Sequence, residues 1–461
     1  MNSALKQEKN TSSSTAHVKV GFKEKIGFAM GDVGISILWA TVGAFITYFY
    51  TDKIGISALV VGNIMFIVRL LDAFSDLGMG IVVDKTNTKD GKGRTWLLRL
   101  CIPYALLGLA VFTFPNLGPT GTIWYAGITF LLFNIAYSGV SIPLNVMNST
   151  ISQDPFERSM LTVFRTFFGL TTVMVISIFI MPLANSMGGD KFAWIKLIGI
   201  LSIVSPILIF VSYKSTKERV VPSVVTKEIP LKQGIIALFR NKYWFIMLLV
   251  NVCNAAFLAL LLGLSAYYAQ NVLHNMGLVG LLATGAMLPT IIGMFFMSPL
   301  IKHFGNRNTA IIGTIVQIVG GAIMMINPTS IPILMIGMCI RSLGTAASIA
   351  PAVSMLAETV EYGEWKTGIR TDGLIFSAAS VGGKIGSSLG AGLIGWILGF
   401  AGYVAGGGAQ HSGVITSIKM MYIHIPMGIS LIMLVFLIMF NLEKKRPMIF
   451  AELEALREQK Q

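Results

Sequence analysis

The stretch RLLDAFSD, Arg69 to Asp76, sets three formal charges inside a run from 58 to 83 that is otherwise apolar and long enough to cross a bilayer. Each charge at membrane depth costs about 2.5 to 3.5 kcal/mol on insertion scales, so such residues are read first as functional. Asp72 and Asp76 are four apart and would stand on one helix face, one turn from each other, with Arg69 on the same side. Two carboxylates this close in low dielectric either hold one proton between them or share a bound cation. That is the chemistry of a coupling-ion site. A buried Arg-Asp network that only fixes helix packing is the plainer alternative.

A second apolar run, from about 122, carries Asn134, Ser138, Ser141, Asn145 and Asn148 at spacings of 4, 3, 4 and 3, so one helix face is polar along its length. In lipid that face would lack partners, so it must look into a cavity or onto another helix. Ser377, Ser380, Lys384 and Ser388 repeat the pattern late in the chain, with the lysine in the middle of an apolar run. Asp32 and Ser36 are one turn apart, Thr162, Arg165 and Thr166 form a third cluster, and Asn251 and Asn254 a fourth. Hydroxyls and amides around a central cavity suit a substrate itself covered in hydroxyls, such as a sugar. Singly, such groups also serve as interhelical glue, worth about 0.6 kcal/mol each. The buried charges nearly balance: Arg69, Arg165, Arg341 and Lys384 face Asp32, Asp72 and Asp76. Lys384 is a candidate counter-charge for the Asp pair, displaced when a cation binds.

The elements that must position these groups follow from composition. The 461 residues are 54% hydrophobic and only 12% charged, with a mean hydropathy of +0.73, which excludes a soluble protein of this size. Apolar runs begin near Ile26, Ala58, Trp96, Thr122, Ser159, Phe192, Trp244, Gly277, Thr309, Ser330, Asp372 and Ser417, which predicts an all-α membrane protein of twelve transmembrane helices. Despite a net charge of +14, the basic residues lie in short loops and not in a patch, so nucleic acid is not an expected partner. They are concentrated in the first 25 residues, the 84 to 95 loop, the 302 to 307 turn, the 214 to 243 segment with its seven Lys and Arg, and the tail after Leu442. By the positive-inside rule, both termini are expected in the cytoplasm and the chain in the cell membrane. The first 25 residues show no hydrophobic core leading to a cleavage site, so no removable signal peptide is expected.

Residues 214 to 243, with Pro222 and Pro230, divide the chain into two six-helix bundles, 26 to 213 and 244 to 441, flanked by cytoplasmic tails 1 to 25 and 442 to 461. An internal echo supports the division: DKTNTKDGKGR follows the second span and KHFGNRN the eighth, each a glycine among basic residues. Parallel repeats of this kind build transporters that hold substrate near mid-membrane between the halves. The segment AETVEYGEWKTGIRTDG mixes both signs, and with Asp154, Glu157 and Arg158 it is expected to close the inner mouth by ion pairs. A solvated loop is the competing reading.

GDVG at Gly31, YFYTDKIGIS at Tyr48, RLLDAFSDLGMG, DKTNTKDGKGRTW, QDPFERSMLTVFR and EYGEWKTGIRTDG occur in the order and spacing of the glycoside-pentoside-hexuronide:cation symporters, the melibiose-carrier family within the major facilitator superfamily. The chain resembles that family over nearly its whole length. The resemblance implies the major facilitator fold and sugar symport driven by Na+, Li+ or H+, with no other cofactor. It implies that Asp72 and Asp76 are the cation carboxylates, Ser75 and Ser138 neutral oxygen donors beside them, and Lys384 the family's lysine in the eleventh span. Arg158, Glu358, Glu361, Arg370 and Asp372 match its inner-gate ion pairs.

Melibiose-type members grip sugar hydroxyls with an Asp in the first span and another in the fourth, followed one turn later by a Trp. Ser36, Ser141 and Asn145 stand at those positions here, which sets galactoside specificity aside. The loss of two acids would leave Arg165 uncompensated and favour an acidic substrate, a hexuronide or glucuronide, and the pattern around Asp32, Asn251 and the gate loop is more similar to the glucuronide carriers of the family. Asp32, one turn from Ser36, is the residue that could take over the lost role. The expected substrate-binding set is Asp32, Ser36, Arg69, Ser141, Asn145, Arg165, Asn251 and Lys384.

Other classes fit less well. His17, His274, His303, His411 and His424 show no metal spacing, no nucleophile motif has a plausible base, and Cys101, Cys253 and Cys339 fall inside apolar runs, so an enzyme is not expected. A passive channel or a sensor needs no carboxylate pair, and a lipid transporter of the same fold would want an apolar cavity.

Overall fold

The computed structural model describes residues 20–86, 88, 91–152, 154–219, 231–368, 372–406, 410–443, 448–449 and 452. Its helices are α1 (Phe22–Tyr48), α2 (Ala58–Lys85), α3 (Lys92–Ala110), α4 (Gly118–Ile151), α5 (Pro155–Ser186), α6 (Lys191–Ser215), α7 (Leu231–Arg240), α8 (Lys242–Asn271), α9 (Val279–Phe295), α10 (Met297–Phe304), α11 (Asn306–Ile326), α12 (Ile331–Ile349), α13 (Ala352–Thr367), α14 (Asp372–Phe400), α15 (Ser412–Lys419) and α16 (Ile425–Met439). A π-helical turn, Phe49–Lys53, extends α1, and a second, Met420–His424, joins α15 to α16. Among the described residues, 11 helices are long and apolar enough to cross a membrane. The twelfth predicted span is α3, whose 19 residues carry Arg94 and Arg99 in the first half. Every predicted span is found as a helix starting within a few residues of its expected place.

Helices that are apolar all round must be wrapped by protein or by lipid. Trp124, Phe179, Ile203, Phe295 and Ile326 stand more than half exposed, as side chains facing a bilayer would. Starts are set by local chemistry. The Asp154 side chain accepts from Phe156 N at the head of α5, Asp190 does the same for α6, and Asn241 for α8. Pro143 sits inside α4 between Ser141 and Asn145, where it leaves one backbone carbonyl without its helical partner.

Helix contacts form two groups on either side of the 214 to 243 segment. In the first, α1 packs on α5 and α6, α3 on α4 and α6, and α2 on α4; in the second, α8 packs on α14 and α16, α11 on α12 and α16, and α9 on α12. The internal echo has a common structure in both. Gly91, at φ 101°, precedes α3, whose first backbone N–H groups at Lys92, Gly93 and Arg94 donate to the Glu218 carboxylate, while Arg94 donates to the carbonyl of Tyr213 near the end of α6. Gly305, at φ 80°, precedes α11, whose Asn306 N–H donates to Glu443, while Arg307 donates to the carbonyls of Leu437 and Ile438 near the end of α16. In each half a carboxylate just past one helix caps the start of another, and an arginine from that start caps the first helix's exposed carbonyls.

The halves meet along α2–α14, α5–α9 and α1–α8. The α2–α14 seam is built on small residues: a Cβ on Gly395 would lie 2.4 Å from the Gly62 backbone, so the helices touch main chain to main chain. At the end carrying the 54 to 57 loop the halves are tied by polar contacts. Thr51 Oγ1 lies 2.7 Å from the Tyr267 hydroxyl, Tyr403 donates to Asp52 at 2.8 Å, and Trp396 donates to Asn63 at 2.8 Å. Burial first, and then the nearby Asp52 carboxylate, push the pKa of the Tyr403 hydroxyl upward, which keeps it a donor to that carboxylate.

Candidate functional site

The predicted one-turn spacing in α2 places Asp72 and Asp76 on the face turned to α4 and α14. Lys384 of α14 reaches between them: its Nζ lies 2.7 Å from Asp72 Oδ2 and 2.5 Å from Asp76 Oδ2, and 3.0 Å from the Asp72 carbonyl. All three ammonium protons are therefore placed. Ser138 of α4 approaches from the other side, 3.0 Å from Asp72 Oδ1 and 2.5 Å from Asp76 Oδ1, and its one proton serves one carboxylate at a time. Ser75 donates to Asp72 Oδ1 at 2.9 Å and lies 3.3 Å from Ser138. Asp72 and Ser138 are buried, while Asp76 and Lys384 keep partial exposure. All five residues expected at a cation site thus converge on one point, the junction of three helices and both halves.

Arg69, one turn before Asp72, contacts the Ser387 carbonyl across the seam at 3.4 Å. The charges of Arg69, Asp72, Asp76 and Lys384 cancel. Arg341 stands apart from this site. It is buried against the rings of Phe257 and Tyr422, and it donates to the Tyr422 carbonyl at 3.0 Å.

Beside the cluster lies a cavity of about 370 Å³ between α1, α4 and α5, whose lining includes Asp32, Ser36, Ser141, Asn145, Arg165 and Trp39. Within it Arg165 is already engaged: Nε donates to Asp32 at 2.7 Å, and Nη1 donates to the Asn145 side-chain oxygen. The expectation of an uncompensated arginine is therefore corrected: Asp32, the residue that could take over the role, is its partner. Asn148 and Thr162, joined by a 2.8 Å hydrogen bond, continue the lining. A smaller cavity of about 230 Å³ holds Arg69, Asp72, Asn134 and Lys384. The polar stripe of α4 thus serves three places in turn, Asn134 the small cavity, Ser138 the carboxylates, and Ser141, Asn145 and Asn148 the large cavity. Asn251 lies elsewhere: its amide donates to the Ala379 carbonyl at 2.6 Å, where α8 packs on α14.

Two side chains that sequence reasoning passed over line both cavities. Trp39 and Tyr137 stack with ring centroids 6.0 Å apart. Their helical positions were the available signal, since Trp39 is three residues past Ser36 and Tyr137 immediately precedes Ser138. The Thr51, Asp52, Tyr267 and Tyr403 cluster, which joins the two halves at helix ends, was also missed.

Among the expected inner-gate residues, Arg158 donates to the carbonyls of Ser152 at 2.6 Å and Ser149 at 3.0 Å, and Glu358 accepts from Asn306 at 3.1 Å. These contacts stay within their own helix groups. Glu361 is half-buried on α13, near Glu364 and Lys366 in sequence. Arg370 and the Asp372 side chain lie outside the described residues.

Residues 27–444 match the family described as MFS/sugar transport protein. The isoprimeverose transporter of Lactiplantibacillus pentosus is 30% identical over 444 residues, covering 94% of this chain and 92% of its own. The glucuronide carrier protein homolog of Escherichia coli (strain K12) is 27% identical, covering 93% and 94%. A crystal structure of a D-xylose-proton symporter superposes with a TM-score of 0.65 at 12% identity, covering 90% of this chain and 97% of that one, which shows a shared fold. The protein is an all-α, multi-pass membrane transporter rather than an enzyme, and it belongs to the MFS/sugar transport family.

Proposed function

We propose that the protein is a cell-membrane symporter that moves a sugar or glycoside together with Na+ or H+ by alternating access. The observation that carries this reading is the Lys384 ammonium held by both Asp72 and Asp76, with Ser75 and Ser138 alongside, next to a cavity lined by hydroxyls and amides. Hard cations are bound by oxygens, and the carboxylate and carbonyl oxygens that hold the ammonium, with the Ser75 and Ser138 hydroxyls beside the carboxylates, are such a set. A cation or proton arriving there replaces the lysine, which frees α14 from α2 at the seam between the halves. The coupling step is that exchange: one positive charge leaves the pair as another enters, and the contact between the halves changes with it.

The polar ties at Thr51, Asp52 and Asn63 close one end of the seam, which on the positive-inside orientation is the outer one. The state is then inward-facing, with Arg158, Glu358, Glu361, Arg370 and Asp372 as the groups that would pair when the inner mouth closes. Ser36, Ser141, Asn145, Arg165, Asp32 and Arg69 are the proposed sugar-binding groups, and Asn251 supports the helix that carries Lys384. A polar cavity of this size suits a sugar and not a lipid tail. The pairing of Arg165 with Asp32 favours a neutral sugar. A hexuronide is the second reading, favoured by the likeness to the glucuronide carrier homolog.

The test is uptake of a panel of radiolabelled sugars and glycosides, neutral and acidic, into proteoliposomes with Na+ and pH gradients imposed separately. Accumulation of one sugar above its external concentration under one gradient is expected. Equilibration that no gradient can drive uphill would instead favour a facilitative channel.

A further inference from the structure

Among the described residues, Lys384 pairs with Asp72 and Asp76, and Arg165 with Asp32, whereas Arg341 of α12 has no carboxylate beside it. It is 2% exposed, deep among α8, α12 and the π-helical turn Met420–His424. Its Nη1 donates to the Tyr422 carbonyl at 3.0 Å, and the rings of Phe257 and Tyr422 face the guanidinium at 5.7 and 5.6 Å. Nε and Nη2 are buried and meet no acceptor. Those two nitrogens form one edge of the planar group, whose parallel N–H bonds suit a single acceptor gripped from two sides. The hydroxyls around the arginine are committed elsewhere. Ser342 donates to the Gly285 carbonyl at 3.0 Å, Tyr268 to the Pro328 carbonyl at 2.6 Å, and Tyr422 to Met338 Sδ at 3.7 Å. Tyr268 also stacks on Tyr422 with centroids 4.3 Å apart, which fixes the wall that the guanidinium lies against.

We propose that the Nε–Nη2 edge of Arg341 is a binding site for a small monovalent anion, chloride under ordinary conditions, enclosed within the second helix group. A guanidinium keeps its charge in a protein, and a buried charge is tolerated when it is both paired and hydrogen-bonded. Ring faces and one carbonyl offset part of the desolvation, but neither supplies a negative charge. An anion on the open edge supplies it and satisfies both remaining donors at once. The surroundings select for size, because aromatic walls offer no further donors to the outer oxygens of a sulfate or of a bulky carboxylate. The site joins α8, α12 and the turn before α16, none of which carries Asp72, Asp76 or Lys384. The anion therefore steadies the second helix group, and it does not compete with the coupling ion.

The test uses the full chain purified in detergent, with chloride exchanged for gluconate at constant sodium. Wild type should bind radioactive chloride saturably, with bromide competing and gluconate not. Its melting temperature should rise with the logarithm of chloride concentration once the site fills. Arg341→Met should lose both responses. Arg341→Lys keeps the charge without the two-pronged edge, and should weaken chloride binding by about tenfold or more. Crystals of wild type grown in bromide should show an anomalous peak against Nε and Nη2 of Arg341, and this decides the matter even if neither variant folds. Absence of saturable chloride binding, a water in place of the bromide peak, or unchanged binding by Arg341→Met would each overturn the proposal. None of these readouts involves sugar uptake, so their failure leaves the transport reading standing, and a failed uptake panel leaves the anion site standing.

Discussion

Replacing Lys384 by methionine keeps the length and apolar stem of the side chain and removes only its charge. In the structure that charge is 2.7 Å from Asp72 and 2.5 Å from Asp76. Without it the two carboxylates that shared it face each other uncompensated, and two unit charges at about 5 Å and an effective dielectric of about 20 repel by about 3 kcal/mol. Removing one member of a buried ion pair costs about 3 to 5 kcal/mol in general, so the two routes agree. At about 1.4 kcal/mol per decade, 3 to 5 kcal/mol is roughly a 100- to 4,000-fold penalty on the cation-free state. The penalty is relieved only by a bound cation or proton, so the variant is expected to hold its ion through the whole cycle and to lose the change in α2–α14 contact that the lysine supplies. Uphill accumulation of sugar should fall to background, while exchange of labelled for unlabelled sugar at equal ion concentration should persist. In thermal melts the coupling ion should stabilise the methionine variant more than wild type. Accumulation by Lys384→Met with wild-type ion dependence would refute the reasoning, since the ammonium would then have no part in coupling.

Three further outcomes are expected. Tyr403→Phe removes the donor to Asp52 across the closed end, and a hydrogen bond to a charged group contributes about 1.5 to 3 kcal/mol, so cysteines placed in the large cavity should become at least tenfold more reactive toward a reagent added on the outer face. Gly395→Ala puts a methyl 2.4 Å from the Gly62 backbone, so the seam cannot close and uptake should fall at least tenfold at unchanged expression, whereas Gly428→Ala, where a Cβ meets nothing within 4 Å, should transport normally. Ser138→Ala removes the hydroxyl that reaches both Asp72 and Asp76, and the sodium or proton concentration needed for half-maximal uptake should rise by about tenfold, measured as initial rates against ion concentration.

The parts of this protein that could be read from the chain are those that membrane physics makes expensive. Apolar runs of about 20 residues have few alternatives to a spanning helix, so the helices start where they were expected. Charges inside such runs have no reason to persist without partners, and Asp72, Asp76 and Lys384, 308 positions apart at the nearest, meet at one point. The 4-3-4-3 stripe of α4 was equally legible, because a polar face in lipid must be spent on something. Residues that are ordinary in a membrane helix carried no such signal. Trp39 and Tyr137 are aromatic side chains among many, and only their position between the two cavities marks them. Arg165 and Asp32 were both visible as charges, and Asp32 was named as the residue that could take over the lost role, but that the two meet depended on how α1 and α5 cross and on the room left at Gly169. Asn251 had the right chemistry and the wrong direction, and it serves the packing of α8 on α14.

The most direct measurement is sugar uptake into right-side-out vesicles carrying the Asp72→Asn, Asp76→Asn double variant beside wild type, with Na+ and pH gradients applied one at a time. Wild type should concentrate its sugar under one of the two gradients, and the double variant should bring the sugar only to equilibrium under either. Uphill accumulation by the double variant would contradict the account, because no carboxylate would then be left at the place where ion and lysine are held to exchange.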